Sequence, residues 1–418
     1  MNEADARLKP GQGRWQRRAI WRRTAWMWGE HLMPQNNRFR HQEYRSERRI
    51  SDVHLLQPEP PPARFTDDYR RRMQAVGRAY HAADVRAIYL VHGSFVGADA
   101  LGLLREVARI SPAAAEPLRR LQKHLLDALT KDAGNYTVEF AKEFEDAIAI
   151  DEAPKIPVRL CNWSSENHHI GRADGAIQLI GAILDRPTAD IGRVLVWGHS
   201  HGGNVLALMT NLLGGDAELR DKFFHACRSY YRWPGLERVD LPEWTRVQGL
   251  LESESILSRA ASLDLVTCGT PVRYGWETNG YGKLLHFIHH RPVPDKDPTV
   301  AVFPREVDDV LTARFGDYLQ QFGIAGTNFA PTAWAWRASL ADRRLGQLLQ
   351  PGIHTRQLLE RWKLGTRAHD EGTNLLVDYG LPTEHVGQHI AGHAVYTRRD
   401  WLLFHAEEVA RRFYGLAE

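Results

Sequence analysis

Val194-Leu195-Val196-Trp197-Gly198-His199-Ser200-His201-Gly202-Gly203-Asn204-Val205 is the stretch on which the fold turns. Its first four residues are an apolar run of strand character, and Gly203 to Leu208 reads as the start of a buried helix. Between them stands Gly-x-Ser-x-Gly, residues 198–202. A strand, that pentapeptide and a helix together make a turn so tight that the serine backbone is strained. Small residues two positions either side let strand and helix approach closely, and the hydroxyl stands clear of the sheet, within reach of a base. Ser200 is therefore the candidate nucleophile. Without its flanks the pentapeptide would mark no more than a structural turn.

Upstream, Ala87-Ile88-Tyr89-Leu90-Val91 reads as a short apolar strand running into His92-Gly93-Ser94-Phe95-Val96-Gly97. A strand that ends this way before such a turn supplies half of an oxyanion hole. One expected donor is the backbone N–H of Ser94 or of Phe95, and the other is that of His201. Losing one such donor typically costs ~10²–10³ in rate.

Downstream, Asn374–Gly380 reads as the last strand, Leu381–Val395 as a loop and Arg398–Tyr414 as an amphipathic closing helix. The loop carries His385, His389 and His393. His393 lies nearest the helix, between small residues, and is the expected base. An imidazole can take the serine proton and return it to a leaving group. The His385-x3-His389-x3-His393 spacing would also set three metal ligands on one helical face, but Gly387 and Gly392 argue for a loop, and no metal is expected.

In the serine–acid–histidine order the acid follows the penultimate strand. That strand is read over Leu284–His290, and the loop after it, Arg291–Pro298, offers Asp295 and Asp297. Asp297, in Asp-Pro-Thr-Val, is the expected acid; Asp295, and Asp378 at the close of the last strand, are the alternatives. Asp264 opens its strand and would sit at the wrong edge of the sheet.

With these residues in view, the chain resembles the α/β-hydrolase superfamily, of the serine lipase/esterase kind. The matching islands are His92-Gly93, the elbow around Ser200, Leu265-Val266-Thr267-Cys268-Gly269-Thr270-Pro271 and His393. Gly-His-Ser-His-Gly-Gly is similar to the elbow of bacterial triacylglycerol lipases. A strand ending in Gly-Thr-Pro before Tyr274-Gly275 is similar to the sixth strand of many lipases. The resemblance spans about residues 84–414. It implies carboxylic-ester hydrolysis through an acyl-enzyme, with no cofactor. The chain departs from the pattern in lacking a clear Gly-Asp pair in the acid loop and in the size of its insertions.

Composition suits an α/β architecture, a mostly parallel central sheet with helices on both faces, since apolar runs alternate with helical stretches through 418 residues. No apolar run is long enough for a membrane span, and the N-terminus lacks the apolar core of a secretory signal, so a cytoplasmic protein is expected, with signal-independent export as the other route. Cys161, Cys227 and Cys268 suit reduced, buried thiols. Two parts are read: residues 1–62 as a basic, Trp-rich arm with a Pro-rich connector (Pro58–Pro62), and residues 63–418 as the catalytic domain.

The arm, residues 1–50, carries twelve Lys/Arg against five Asp/Glu, while the rest of the chain is mildly acidic. Arginines interleaved with Trp15, Trp21, Trp26 and Trp28 have the composition of a segment that settles on anionic lipid. The tryptophans scatter round a helical wheel, however, and the preferred reading is an arm that packs on the domain. Confinement of the basic charge to this arm argues against nucleic acid as a partner.

Two insertions, about 214–254 and 307–370, are placed to control substrate. Tyr230-Tyr231-Arg232-Trp233 in the first, and Trp334 and Trp336 in the second, would line a pocket or form a lid, or simply pack. After the strand Val158–Trp163, Trp163, Asn167 and Arg172 would shape the site or brace the elbow; the preferred reading has Trp163 in the core and Arg172 on a helix surface. The expected function is a serine hydrolase of small-molecule or lipid carboxylic esters. A phospholipase at anionic membranes, and a binding protein that kept the fold and lost the chemistry, are the alternatives.

Overall fold

Strands buried on both faces read as near-continuous apolar runs, and such runs form the centre of this molecule. The computed structural model describes residues 52–93, 135–186, 192–233, 238–253, 259–271, 273–301, 304–324, 331, 335–349, 367–381 and 389–417. Along the chain lie β1 (Val53–Leu56), α1 (Asp67–Ala82), β2 (Val85–Val91), α2 (Val138–Ala147), β3 (Val158–Cys161), α3 (His169–Leu184), β4 (Arg193–His199) and α4 (His201–Gly214). There follow α5 (Ala217–Tyr231), α6 (Pro242–Leu250), β5 (Leu263–Cys268), β6 (Lys283–His289), α7 (Val307–Leu311), α8 (Tyr318–Ile324), α9 (Trp336–Leu349), β7 (Thr373–Val377) and α10 (Leu402–Tyr414).

These strands form one sheet of order β1-β7-β6-β5-β4-β2-β3, and every neighbouring pair is parallel. Alternation along the strands divides the core in two. Ala87, Tyr89, Val91, Val194, Val196 and Leu265 face a layer built by α3, α4, α5, α6 and α9. Ile88, Leu90, Leu195, Trp197, Phe287 and Leu375 face α1, α2 and α10. The fold is thus of α/β type, with helices on both faces of a parallel sheet.

β1 lies within the segment read as arm and connector, yet it pairs with β7 in the register Val53↔Asn374 to Leu56↔Val377. Residues 1–51, with the tryptophans and arginines of the arm, lie outside the described residues. Pro58–Pro62 leads from β1 to α1 without regular structure.

The first insertion proves to be packing. Trp244 stacks between Tyr231 (5.2 Å, 12°) and Phe223 (6.1 Å, 8°), and its Nε1 donates to Asp174 Oδ1 at 2.8 Å. Tyr230, Tyr231 and Trp244 are buried in the core under α3 and α4. Trp233 is half-exposed, with the Arg337 guanidinium 4.7 Å over its ring. The helical period that buries one face of α5 looks the same in a lid as in a core helix, so the sequence alone left both readings standing. In the second insertion Trp334 falls outside the described residues, and Trp336 is 52% exposed. The three cysteines are free and buried. Among the described residues no helix is long and apolar enough to cross a membrane.

Candidate active site

β4 delivers its chain into α4 through a single residue in the left-handed region. Ser200 has φ 53° and ψ −129°, a conformation that costs a non-glycine residue of order 1–3 kcal/mol. Backbone bonds hold it there: Ser200 N donates to Cys268 O at 2.8 Å, and Ser200 O accepts from Gly203 N at 3.0 Å and from Thr270 Oγ1 at 2.9 Å. The sharpness of the turn explains its glycines. A Cβ on Gly202 would stand 2.5 Å from the Val91 carbonyl oxygen, and one on Gly93 would stand 2.8 Å from Ser200 Cβ. The end of β2 therefore lies directly against the elbow. Ser94 and Phe95 themselves lie outside the described residues. His201 opens α4, where the first backbone N–H groups have no partner within the helix.

His393 begins a short 3₁₀ turn after Gly392, whose φ of 87° is left-handed. Its ring lies 4.6 Å from that of His199, the residue before the candidate nucleophile, and the two are further tied by His199 Nε2 to His393 O at 3.4 Å. Nδ1 of His393 is 2.7 Å from Asp317 Oδ2. A carboxylate only accepts, so Nδ1 carries a proton, and in the neutral imidazole Nε2 is then the acceptor. Nε2 is buried and has no hydrogen-bond partner among the described residues.

The carboxylate that faces His393 is Asp317, not the expected Asp297. Asp317 is fully buried; besides His393 it accepts from Tyr396 Oη at 3.0 Å and from Gln320 N at 2.8 Å. Burial pushes its carboxyl up. The facing His393, with its charge and hydrogen bond, then Gln320 N–H and the Arg367 charge outweigh this and hold it below the ordinary carboxylate value. Arg367 is itself buried and donates to the carbonyls of His289 (3.2 Å) and Phe315 (2.6 Å) and to Gln321 Oε1 (3.0 Å). The Tyr396 hydroxyl also accepts from His289 N at 2.7 Å, which ties the acid to the end of β6.

Asp297 is exposed and closes a turn on its own neighbour, accepting from Thr299 N at 2.8 Å and Thr299 Oγ1 at 2.6 Å; these bonds pull its carboxyl below the usual value. Asp295 is exposed in the same loop with φ 63°. Asp378 pairs with Arg291 Nε at 3.0 Å and accepts from Gly380 N. Asp264 sits at the opening of β5, bonded to Arg193 and Tyr414. His389 Nδ1 accepts from Gly392 N at 3.3 Å, a local loop bond, and His385 lies outside the described residues.

Arg172 also departs from expectation: it is fully buried. Its Nε donates to Tyr274 Oη at 2.8 Å and Nη1 to Asn167 Oδ1 at 2.9 Å, with His201 Nδ1 at 3.5 Å. Asn204 Nδ2 donates to Pro271 O at 2.9 Å and reaches His201 Nδ1 at 3.1 Å. Burial, then Arg172 and Arg273, push the His201 imidazole well below the ordinary histidine value. The residue after the candidate nucleophile is thus neutral and braced.

Neutral imidazoles recur through this end of the sheet. Burial pushes His199, His369 and His405 down to about 3, and His289 and His290 to about 4. Each binds its proton only after unfolding, so stability is full above about pH 6.5 and is lost as the pH falls toward 4, at roughly 1.4 kcal/mol per histidine per pH unit. We expect the calorimetric unfolding midpoint to fall steeply between pH 7 and pH 5. A flat profile would mean that these rings are charged in the fold.

No known family, curated protein or solved structure matches the chain.

Proposed function

We propose that the protein is a serine hydrolase of carboxylic esters on an α/β-hydrolase plan. One observation carries the reading: a buried Asp317–His393 pair, with Nε2 of the imidazole unpartnered among the described residues, packed against the strained turn that presents Ser200. Support also comes from chain order, serine after β4, acid after β6, histidine after β7.

In this mechanism Ser200 Oγ attacks the ester carbonyl while His393 Nε2 takes its proton. Asp317 holds the imidazole in the tautomer with Nδ1–H and stabilises the imidazolium that forms. The N–H of His201, with one from the segment after Gly93, receives the oxyanion. His393 then protonates the leaving alcohol, and water, deprotonated by the same nitrogen, releases the acid from the acyl-enzyme. A fluorophosphonate probe tests this. It is expected to label the native protein once, with the adduct mapping to the peptide that contains Ser200. A folded protein that stays unlabelled, or is labelled elsewhere, would sink the proposal.

A further inference from the structure

We infer that Trp163 is a positioning residue for the oxyanion segment, acting through the carbonyls of His92 and Gly93. The inference rests on the hydrolase reading above and adds a residue to it. Trp163 follows β3 and is 3% exposed, as a core tryptophan would be. Its polar atom, however, is not spent on the core. Nε1–H donates to the His92 carbonyl at 2.8 Å, and the indole lies parallel to the His92 imidazole, with centroids 5.8 Å apart and planes at 15°. The His92 ring in turn reaches forward, Nδ1 lying 2.9 Å from the Gly93 carbonyl oxygen. Indole and imidazole therefore secure two successive carbonyls, those of His92 and Gly93.

The elbow also presses on this segment. A Cβ on Gly202 would lie 2.7 Å from the His92 carbonyl oxygen, and a Cβ on Gly93 would lie 2.8 Å from Ser200 Cβ. A peptide group is planar, and a trans peptide points its N–H opposite its carbonyl. Fixing the Gly93 carbonyl thus fixes the plane of the peptide that leads into the segment expected to supply one of the two oxyanion donors. Rotation of that peptide by a small angle would swing the donor off target, and such donors act only when preorganised. Trp163 holds the other end of this clamp through its bond to the His92 carbonyl.

The test is Trp163→Phe, which keeps an aromatic ring beside His92 and removes the indole N–H. With p-nitrophenyl butyrate as substrate, kcat is expected to fall at least about tenfold while KM stays within about twofold. Affinity for an aryl trifluoromethyl ketone, whose adduct carries the oxyanion, should weaken by a factor similar to the loss in kcat. Trp163→Tyr also lacks a donor at the indole position and is expected to show the same split, so one variant decides if the other does not fold. Unchanged kcat and ketone affinity in a folded variant would overturn the inference. So would a loss confined to the unfolding midpoint, which is what a packing role alone predicts. A native protein inert to both the ester and the fluorophosphonate would remove the hydrolase reading, and this inference with it.

Discussion

Ser200→Ala is expected to lower kcat on esters by about 10⁶-fold, the loss typical of deleting the nucleophile of a serine triad. Stability should hardly change. The bonds that keep residue 200 in its turn are all made by its main chain, to Cys268, Gly203 and Thr270, and the side chain makes no capping bond to α4. Alanine meets the same left-handed φ that serine does. Steady-state kinetics beside a thermal unfolding curve check both halves. A folded Ser200→Ala protein that retains a percent of native turnover would show that the reaction runs through another group.

Asp317→Asn should cost about 10⁴-fold in kcat, the loss expected when the acid of such a triad can no longer select the imidazole tautomer. The carboxylate of Asp317 accepts three donors: His393 Nδ1–H, Tyr396 O–H and Gln320 N–H. An amide must turn its own N–H₂ toward one of them. If it faces His393, the imidazole is driven to carry its proton on Nε2, where a base is needed. Asp297→Asn is the control, expected to leave the rate unchanged because that carboxylate only closes a turn with Thr299. The reverse pattern, a dead Asp297 variant beside an active Asp317 variant, would refute the assignment.

The comparison between these two aspartates shows what local pattern can and cannot reveal. The turn at Ser200 and the placement of His393 beside it were legible because their signals are local: an apolar strand against a glycine-flanked serine, and a histidine between small residues before the closing helix. The carboxylate that meets His393 needed a longer view. A Gly-Asp pair does exist, Gly316-Asp317, but the chain first makes an exposed loop and α7 before returning to the end of β6. There Asp317 N bonds to His289 O at 3.0 Å, and Gly316 takes φ 108° where a side chain would strike that same carbonyl. Proximity in sequence favoured Asp297, and a return contact in space favoured Asp317. A search for Gly-Asp beyond the first loop would have found it.

Burial of Arg172 was hidden for a similar reason, since its partners Tyr274 and His201 come from distant segments. β1 was missed because Val53-His54-Leu55-Leu56 is short and one-sided. It becomes a strand only through β7.

That last pairing sets a timetable. β1 is among the earliest described segments to leave a ribosome, yet its partner is made some 320 residues later, from Val53 to Asn374. At typical rates of synthesis the wait is on the order of tens of seconds. The stretch that completes the sheet edge is followed at once by the loop bearing His393. Closure of the edge and arrival of His393 therefore belong to the same moment of biogenesis. On the proposed mechanism, a nascent chain carries its serine early and gains its base only when β7 has been made to meet β1.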